Sequence, residues 1–460
     1  MSTISTSQSK KIESYIMDTM RKNKLPGLSI CLIKDGEKVY SRGFGSACIQ
    51  PPKPATPNTL YGVGSVTKTF TALSIMKLYE EGKLALQDPV KKYIPSFEAD
   101  AEDQPVTIHQ LLTHSSGFPD LGMAEDVIGR IFGSKTGWTP LGSLDDLVSH
   151  INQAKAERVS TKGDTFFYWN EGYAMLGGII EKVSGKSYTR FVKETILSPL
   201  NMARSTFERE ALEAEKDAMC GYVFDKEGGR RPQPFPAHPL VEAAGGLITS
   251  VTELANLVLL FLNRGEFSDH KIVSTKTLDT MLTPYIKHSL PPGLVGGEFY
   301  GYGLIINKNF GGYTLIGHGG NVGVSSAYFG FIPELNAGVT LASNADFSAD
   351  TPALYALSVL CGLEPEKTLP QVAYDKKCEL LKGTYESFKG ARRMAIVEKG
   401  MNLFLEIYEN GAVGLSLPLE IEGDDVYVIW GPEKTKLHVE QKIQGKVDIH
   451  LERVVYHKVS

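Results

Sequence analysis

After Gly362-Leu363-Glu364-Pro365 and Pro370 the chain changes character, and this change limits the possible folds more than any other feature. Beyond it the pattern reads as all β. Val447, Ile449 and Leu451 alternate with Lys446, Asp448, His450 and Glu452, the two-residue period of a strand with one face in a core. Lys399-Gly400, Asn410-Gly411, Gly423-Asp424 and Gln444-Gly445 supply turns between such segments. Short antiparallel strands must hide their edges, so residues 370–460 are expected to form a small barrel or sandwich that closes on itself.

Upstream, a chain of 460 residues is too long for one core, and residues 1–365 should form a larger unit. Ile12, Tyr15, Ile16 and Met20 recur at helical spacing, which Pro26-Gly27 ends. Leu28 to Ile33 and Lys38 to Phe44 flank Lys34-Asp35-Gly36, the chemistry of a hairpin. Phe70, Leu73, Met76 and Leu78 predict an amphipathic helix from Val66 to Glu81, stopped by Gly82. Thr107 is a candidate cap for a further helix, and Ser250-Val251-Thr252-Glu253 reads as a capping box opening a helix to Leu262. Tyr313 to Ile316, Ser326 to Ile332 and Gly338 to Ala342 read as consecutive antiparallel strands, followed by a helix near Pro352 to Leu360. Helices in the middle with strands at both ends predict an α+β fold, an antiparallel sheet flanked by helices.

A net charge of -5 and a pI near 6.1 exclude the strongly basic face of a general nucleic-acid binder. Met1 to Lys11 is polar, and the apolar run Leu254 to Leu262 is far short of a membrane span, so a soluble, cytoplasmic chain is expected. The cysteines Cys31, Cys48, Cys220, Cys361 and Cys378 are scattered and odd in number, which reads as reduced thiols. The histidines lack metal-ligand spacing, and no phosphate loop or dinucleotide fingerprint appears, so neither a metal nor a cofactor is expected.

Ser65-Val66-Thr67-Lys68 sets a hydroxyl at a helix start and an amine one turn later on the same face. Lysine can take a serine's proton only when uncharged, which burial and cationic surroundings favour. The S-x-x-K spacing also occurs at Ser7, Ser74 and Ser268, so context must choose. Ser74 falls mid-helix, where its hydroxyl would bond back to its own helix. Only Ser65 has a glycine-bearing, strand-like approach, Leu60-Tyr61-Gly62-Val63-Gly64, although a serine there also serves as an ordinary N-cap. Tyr168-Trp169-Asn170 offers a phenol and an amide two residues apart, on one side of an extended chain. A partly ionised Tyr168 near Lys68 could shuttle a proton. In Gly317-His318-Gly319-Gly320-Asn321, the glycines would admit a substrate backbone and His318 could polarise or protonate the bound group. Lys135-Thr136-Gly137 is discounted because it precedes Tyr168 and lacks a strand-like setting.

In order, Ser65-x-x-Lys68, Tyr168-x-Asn170 and His318-x-Gly320 resemble the penicillin-recognising serine hydrolases, specifically the CubicO-type branch related to class C β-lactamases. Leu111-Leu112-Thr113-His114-Ser115-Ser116-Gly117, Ala244-Gly245-Gly246-Leu247 and Tyr300-Gly301-Tyr302-Gly303 look like the same family's text. The resemblance implies a helical subdomain over about residues 85–240, with the cleft between it and the sheet. It implies Ser65 as nucleophile, Lys68 as base, Tyr168 in proton transfer, Asn170 orienting Lys68 or substrate, and the amides of Ser65 and Asn321 as the oxyanion hole. His318 and Gly319 stand where the family's lysine and threonine bind a substrate carboxylate, which favours peptides, amides or esters without one. His114 is assigned to packing or to a supporting hydrogen bond.

Leu381-Lys382-Gly383-Thr384-Tyr385-Glu386 resembles the lipocalin-like tail of some CubicO-type peptidases, including oligomeric ones specific for D-amino acids. The expected function is an acyl-enzyme peptidase for small peptides, including those with D-residues, in a chain able to form a homo-oligomer. A carboxylesterase or a β-lactamase-like hydrolase is the alternative, with a small peptide or ester as partner and neither nucleic acid nor membrane. A non-catalytic binding protein on this scaffold is the alternative of another class. An α/β-hydrolase is excluded for want of a G-x-S-x-G elbow.

Overall fold

The computed structural model describes residues 4–101, 103–133, 139, 141–224, 229–288, 299–400, 402–442 and 447–459. The discounted Lys135-Thr136-Gly137 and the turn expected at Gln444-Gly445 lie outside them. The chain divides into two compact units, Met1–Glu364 and Pro365–Ser460.

In the first unit the strands of the main sheet are β1 (Gly27–Lys34), β2 (Glu37–Cys48), β3 (Lys53–Pro54), β4 (Ile286–Lys287), β5 (Phe299–Tyr300), β6 (Ile305–Phe310), β7 (Tyr313–Asn321), β8 (Ser326–Ile332) and β9 (Ala337–Ser343). Among the described residues they form one sheet in the order β4-β5-β6-β7-β8-β9-β1-β2-β3, antiparallel throughout. The middle strands β1, β8 and β9 are buried along nearly their whole length, because helices cover the sheet. The helices used below are α1 (Thr6–Lys22), α2 (Thr67–Glu80), α3 (Asn170–Ser184), α4 (Pro239–Gly245), α5 (Val251–Leu262) and α6 (Asp350–Leu360). Helices α5 and α6 pack on the sheet, and α2 lies among α3, α4 and the turn before it.

Local chemistry accounts for most boundaries. Thr107 accepts from Gln110 N in a complete capping box. Ser250 likewise caps α5, but the carboxylate of Glu253 turns away to accept from Arg204 N and Ser205 Oγ, so the expected box is only half made. The expectation of an amphipathic α2 is corrected. From Thr67 to Met76 every residue is buried, Lys68 included, so α2 is a central helix rather than a surface one. Its threonines are tolerated there because they bond backbone: Thr67 Oγ1 reaches Gly64 O at 2.6 Å and Thr71 Oγ1 reaches Ala243 O at 2.7 Å. Ser74 Oγ bonds back to Phe70 O at 2.8 Å, as expected of a mid-helix serine.

In the second unit, β10 (Gly383–Glu386), β11 (Arg393–Lys399), β12 (Asn402–Glu409), β13 (Ala412–Glu422), β14 (Asp425–Trp430), β15 (Glu433–Gln441), β16 (Val447–Leu451) and β17 (Val454–Lys458) form a closed antiparallel barrel. Closure is made by β10 on β17, with Tyr385 opposite Lys458. Its interior holds Tyr385, Met394, Ile396, Leu405, Val426 and Ile449. Two expectations are corrected here. The unit is not all β: Pro370–Leu381 is a helix, with proline at its first turn and Cys378 and Leu381 in the barrel core. Asp448, expected on the solvent face, is buried, where His457 Nδ1 at 2.9 Å and Lys442 partner it.

The reading of all five cysteines as reduced is also corrected, because Cys48 and Cys220 form a disulfide. The pair is 172 residues apart in sequence and meets only because Cys220 N bonds Ala47 O at 2.8 Å, which no spacing rule reveals. Closing so long a loop restricts the unfolded chain, an effect of roughly 2–4 kcal/mol in such cases. Cys48→Ser or Cys220→Ser should therefore lower the melting temperature measurably. A thiol titration of the denatured, unreduced protein should find the three free cysteines Cys31, Cys361 and Cys378; finding five would contradict the bond.

Candidate active site

Three segments distant in sequence converge on Lys68. The first is the tight turn Gly64–Val66 that runs directly into α2. Gly64 has φ +54°, and a Cβ built on it would lie 2.4 Å from Asn321 N. A Cβ on Gly320 would lie 2.0 Å from Val63 O and 2.6 Å from Ser65 N. Turn and strand β7 therefore meet backbone to backbone, so the amides of Ser65 and Asn321 sit on adjoining chain. The room expected at Gly320 for substrate is filled by the protein's own turn, whereas a Cβ on Gly319 would meet only ordinary contacts, 3.7 Å from Tyr328 and 3.9 Å from Ala327 O. Ser65 is half-buried, and no side chain caps the turn or α2, which removes the N-cap explanation for this serine.

Lys68 is fully buried, with Nζ 3.2 Å from Ser65 Oγ, 2.8 Å from Asn170 Oδ1 and 2.8 Å from Ala244 O. The Ala244 carbonyl belongs to the last turn of α4, where helix carbonyls lack partners of their own. Two of the three neighbours can only accept. A neutral amine has two N–H bonds to give them, which leaves its lone pair toward the Ser65 hydroxyl. Burial pulls the Lys68 amine down to about 7, against the opposing pull of the Asp120, Glu171 and Glu125 carboxylates.

The second segment is the extended stretch before α3, with Trp169 at φ -132° and ψ 103°. It puts Asn170 on Lys68 and the Tyr168 ring centroid 4.8 Å from Nζ. Burial pushes the Tyr168 phenol well above its ordinary value, so the partly ionised Tyr168 expected from sequence is replaced by a protonated one.

The third segment is β7. His318 is buried, with Nδ1 2.6 Å from Gly319 O and Nε2 3.0 Å from Tyr300 Oη. A carbonyl only accepts, so Nδ1 carries the proton and Nε2 accepts from Tyr300. Burial lowers this imidazole to about 3. His318 is thus neutral with its one N–H already given away, which corrects the expectation that it could protonate a bound group. Asn321 is exposed; its side chain donates to Asp346 and accepts from Gly323 N at 2.6 Å.

All eight candidate residues, Ser65, Lys68, Tyr168, Asn170, His318, Gly319, Gly320 and Asn321, fall on these three segments. Reading by residue type gave Ala244 and Tyr300 no role and His114 only packing or a supporting hydrogen bond with no partner named. A backbone carbonyl carries no signal in its residue's identity, and the tyrosine and histidine show their partners only in space.

A family model described as "Beta-lactamase" matches residues 12–360. The chain belongs to the beta-lactamase family. A member from Staphylococcus aureus, Protein flp, is 27% identical over 339 residues, covering 73% of this chain and 63% of its own length, so under two thirds of that relative is spanned. The octameric penicillin-binding protein homologue from Pyrococcus abyssi is 40% identical with a TM-score of 0.85, covering 98% of this chain and 100% of that one. The D-stereospecific amidohydrolase from Streptomyces shares the fold, at 22% identity and a TM-score of 0.63 over 78% of this chain and 98% of its own. Both solved structures share the fold of a sheet with helices, and the Pyrococcus protein matches over the barrel as well. No helix among the described residues is long and apolar enough to cross a membrane.

The Lys68 environment has a direct kinetic consequence. The rate at which an acylating or phosphonylating reagent modifies Ser65 should rise about tenfold per pH unit on the acid side and level off near pH 7, as the amine loses its proton. Lys68→Met should flatten that profile and slow the reaction by about 10²–10⁴-fold. A rate independent of pH between 5 and 8 would show that Lys68 is not the proton acceptor.

Proposed function

We propose that this beta-lactamase-family chain is a serine hydrolase that cleaves amide bonds of small peptides, including peptides with D-residues, through an acyl-enzyme on Ser65. The observation that carries this reading is the buried Lys68 amine, held by two pure acceptors with its remaining direction toward Ser65 Oγ. In the proposed reaction Ser65 Oγ attacks the carbonyl carbon while its proton passes to Lys68 Nζ. The carbonyl oxygen becomes an oxyanion under the amides of Ser65 and Asn321, where one donor contributes about 3–4 kcal/mol. The Tyr168 hydroxyl gives its proton to the leaving nitrogen and regains one from Lys68. Water then repeats the sequence on the ester formed at Ser65, releasing the acid.

His318 is neutral and Gly319 has no hydroxyl, so neither residue favours a free carboxylate. This supports neutral amides and esters over penicillins as substrates. The fold shared with the Streptomyces D-stereospecific amidohydrolase agrees with this substrate class. Activity in the cytoplasm is proposed for a cell interior that tolerates the Cys48–Cys220 bond, as those of hyperthermophiles do. An octameric assembly is proposed from the 40% identity with the octameric Pyrococcus abyssi homologue along nearly the whole chain.

Intact mass after treatment with a fluorophosphonate should show one adduct on the wild type and none on Ser65→Ala; labelling that survives the substitution would put the nucleophile elsewhere. Among L- and D-aminoacyl amides, simple esters and a penicillin, turnover should favour the amides, whereas turnover of esters alone would make the protein a carboxylesterase. A chain that neither labels nor turns over any of these is a binding protein. Light scattering of the full chain should give about 400 kDa, eight copies of 50.4 kDa, and a single-chain mass would refute the octamer.

A further inference from the structure

His114 is fully buried yet has φ +57°, a left-handed backbone that costs a residue of this kind roughly 1 kcal/mol and persists only where surroundings impose it. In that conformation the single residue presents two acceptors to one extended strand. Its carbonyl takes Phe167 N at 2.9 Å, and its imidazole Nδ1 takes Trp169 N at 2.9 Å. Alternate N–H groups of an extended chain point the same way, so His114 does alone what two residues of a neighbouring strand would otherwise do. Trp169 lies between Tyr168 and Asn170, so the second bond falls midway between the two side chains that lie against Lys68.

The side chain is held as firmly as the backbone. The imidazole is surrounded by Tyr168, Tyr173, Tyr300 and Phe166, with ring centroids 4.3, 5.0, 4.8 and 5.7 Å away. Because Nδ1 accepts from a backbone N–H, the ring proton sits on Nε2, which has no hydrogen-bond partner among the described residues. Burial, followed by the nearby Lys68 and His318, holds the imidazole well below its ordinary value and therefore neutral. A charged His114 would lose the Nδ1 acceptor and with it the bond to Trp169.

We infer that His114 is a positioning residue for Tyr168 and Asn170: a neutral imidazole in a left-handed turn that sets the register of residues 167–169 against the Ser65–Lys68 pair. Its effect on turnover rests on the hydrolase reading above, but the structural clamp does not. Three substitutions separate this role from simple packing. Asparagine tolerates the left-handed region, and its Oδ1 takes the place of Nδ1. Glutamine carries its oxygen one bond too far, near the Nε2 position, and alanine leaves the Trp169 N–H buried without a partner.

The experiment measures amide hydrogen exchange over residues 165–170 by mass spectrometry in the full chain, together with kcat and KM on the best amide of the panel. His114→Asn should keep both the protection and kcat within a few-fold of wild type. His114→Ala and His114→Gln should expose the amides of 167–169 and lower kcat by about 10²-fold while KM moves little, the cost of a catalytic group out of place. Should the alanine variant not fold, the contrast between asparagine and glutamine still decides. Wild-type exchange in the alanine variant, or an asparagine variant as impaired as the glutamine one, overturns the clamp. A wild type that does not react at Ser65 refutes the hydrolase reading alone, because the exchange comparison stands without it.

Discussion

A lysine amine buried between two groups that can only accept hydrogen bonds and one hydroxyl is the constraint around which the rest of the first unit is arranged. Charging Lys68 there is unfavourable because burial strips the ammonium of its hydration, and leaving it uncharged is acceptable because Asn170 Oδ1 and the Ala244 carbonyl occupy its two N–H bonds. The same burial carries a stability cost. Between about pH 7 and the amine's ordinary range the unfolded chain holds a proton that the folded one does not, so this group's contribution to stability improves as pH rises through that window. Natural sequences retain such costs chiefly at working sites.

The surroundings of Lys68 follow from that requirement. Helix α2 must be central, so its polar residues, Thr67, Thr71 and Ser74, spend their hydroxyls on backbone carbonyls rather than on water. The turn before α2 must press on β7, which demands glycine at 64 and 320 and leaves two backbone amides on adjoining chain. Nearby, Tyr300 and Gly319 hold His318 in its neutral tautomer, so this neighbour of the site is polar but uncharged.

Legibility differed from element to element. Hairpins, capped helices and the strand series up to Ser343 could be read because their signals are local: turn glycines, a threonine cap and two-residue alternation. The helix Pro370–Leu381 was missed because its few apolar residues, Val372, Cys378 and Leu381, give too sparse a period to stand out beside the strands that follow. The Cys48–Cys220 bond was missed because sequence spacing says nothing about two chain segments that meet only after folding. The same holds for Ala244, whose contribution is a carbonyl that any residue type would supply.

By itself the sequence determined the order of elements, the all-antiparallel character of the second unit and the residue types able to perform acyl transfer, because each is encoded by periodicity or by side-chain chemistry within a few positions. Only the tertiary structure decided which of four serine-lysine pairs is buried and bonded, that Tyr168 stays protonated, that His318 has no proton left to give, and that His114 holds the strand between Tyr168 and Asn170. Protonation state and hydrogen-bond direction depend on what surrounds a group in space, and those surroundings come from segments up to hundreds of residues away in the chain.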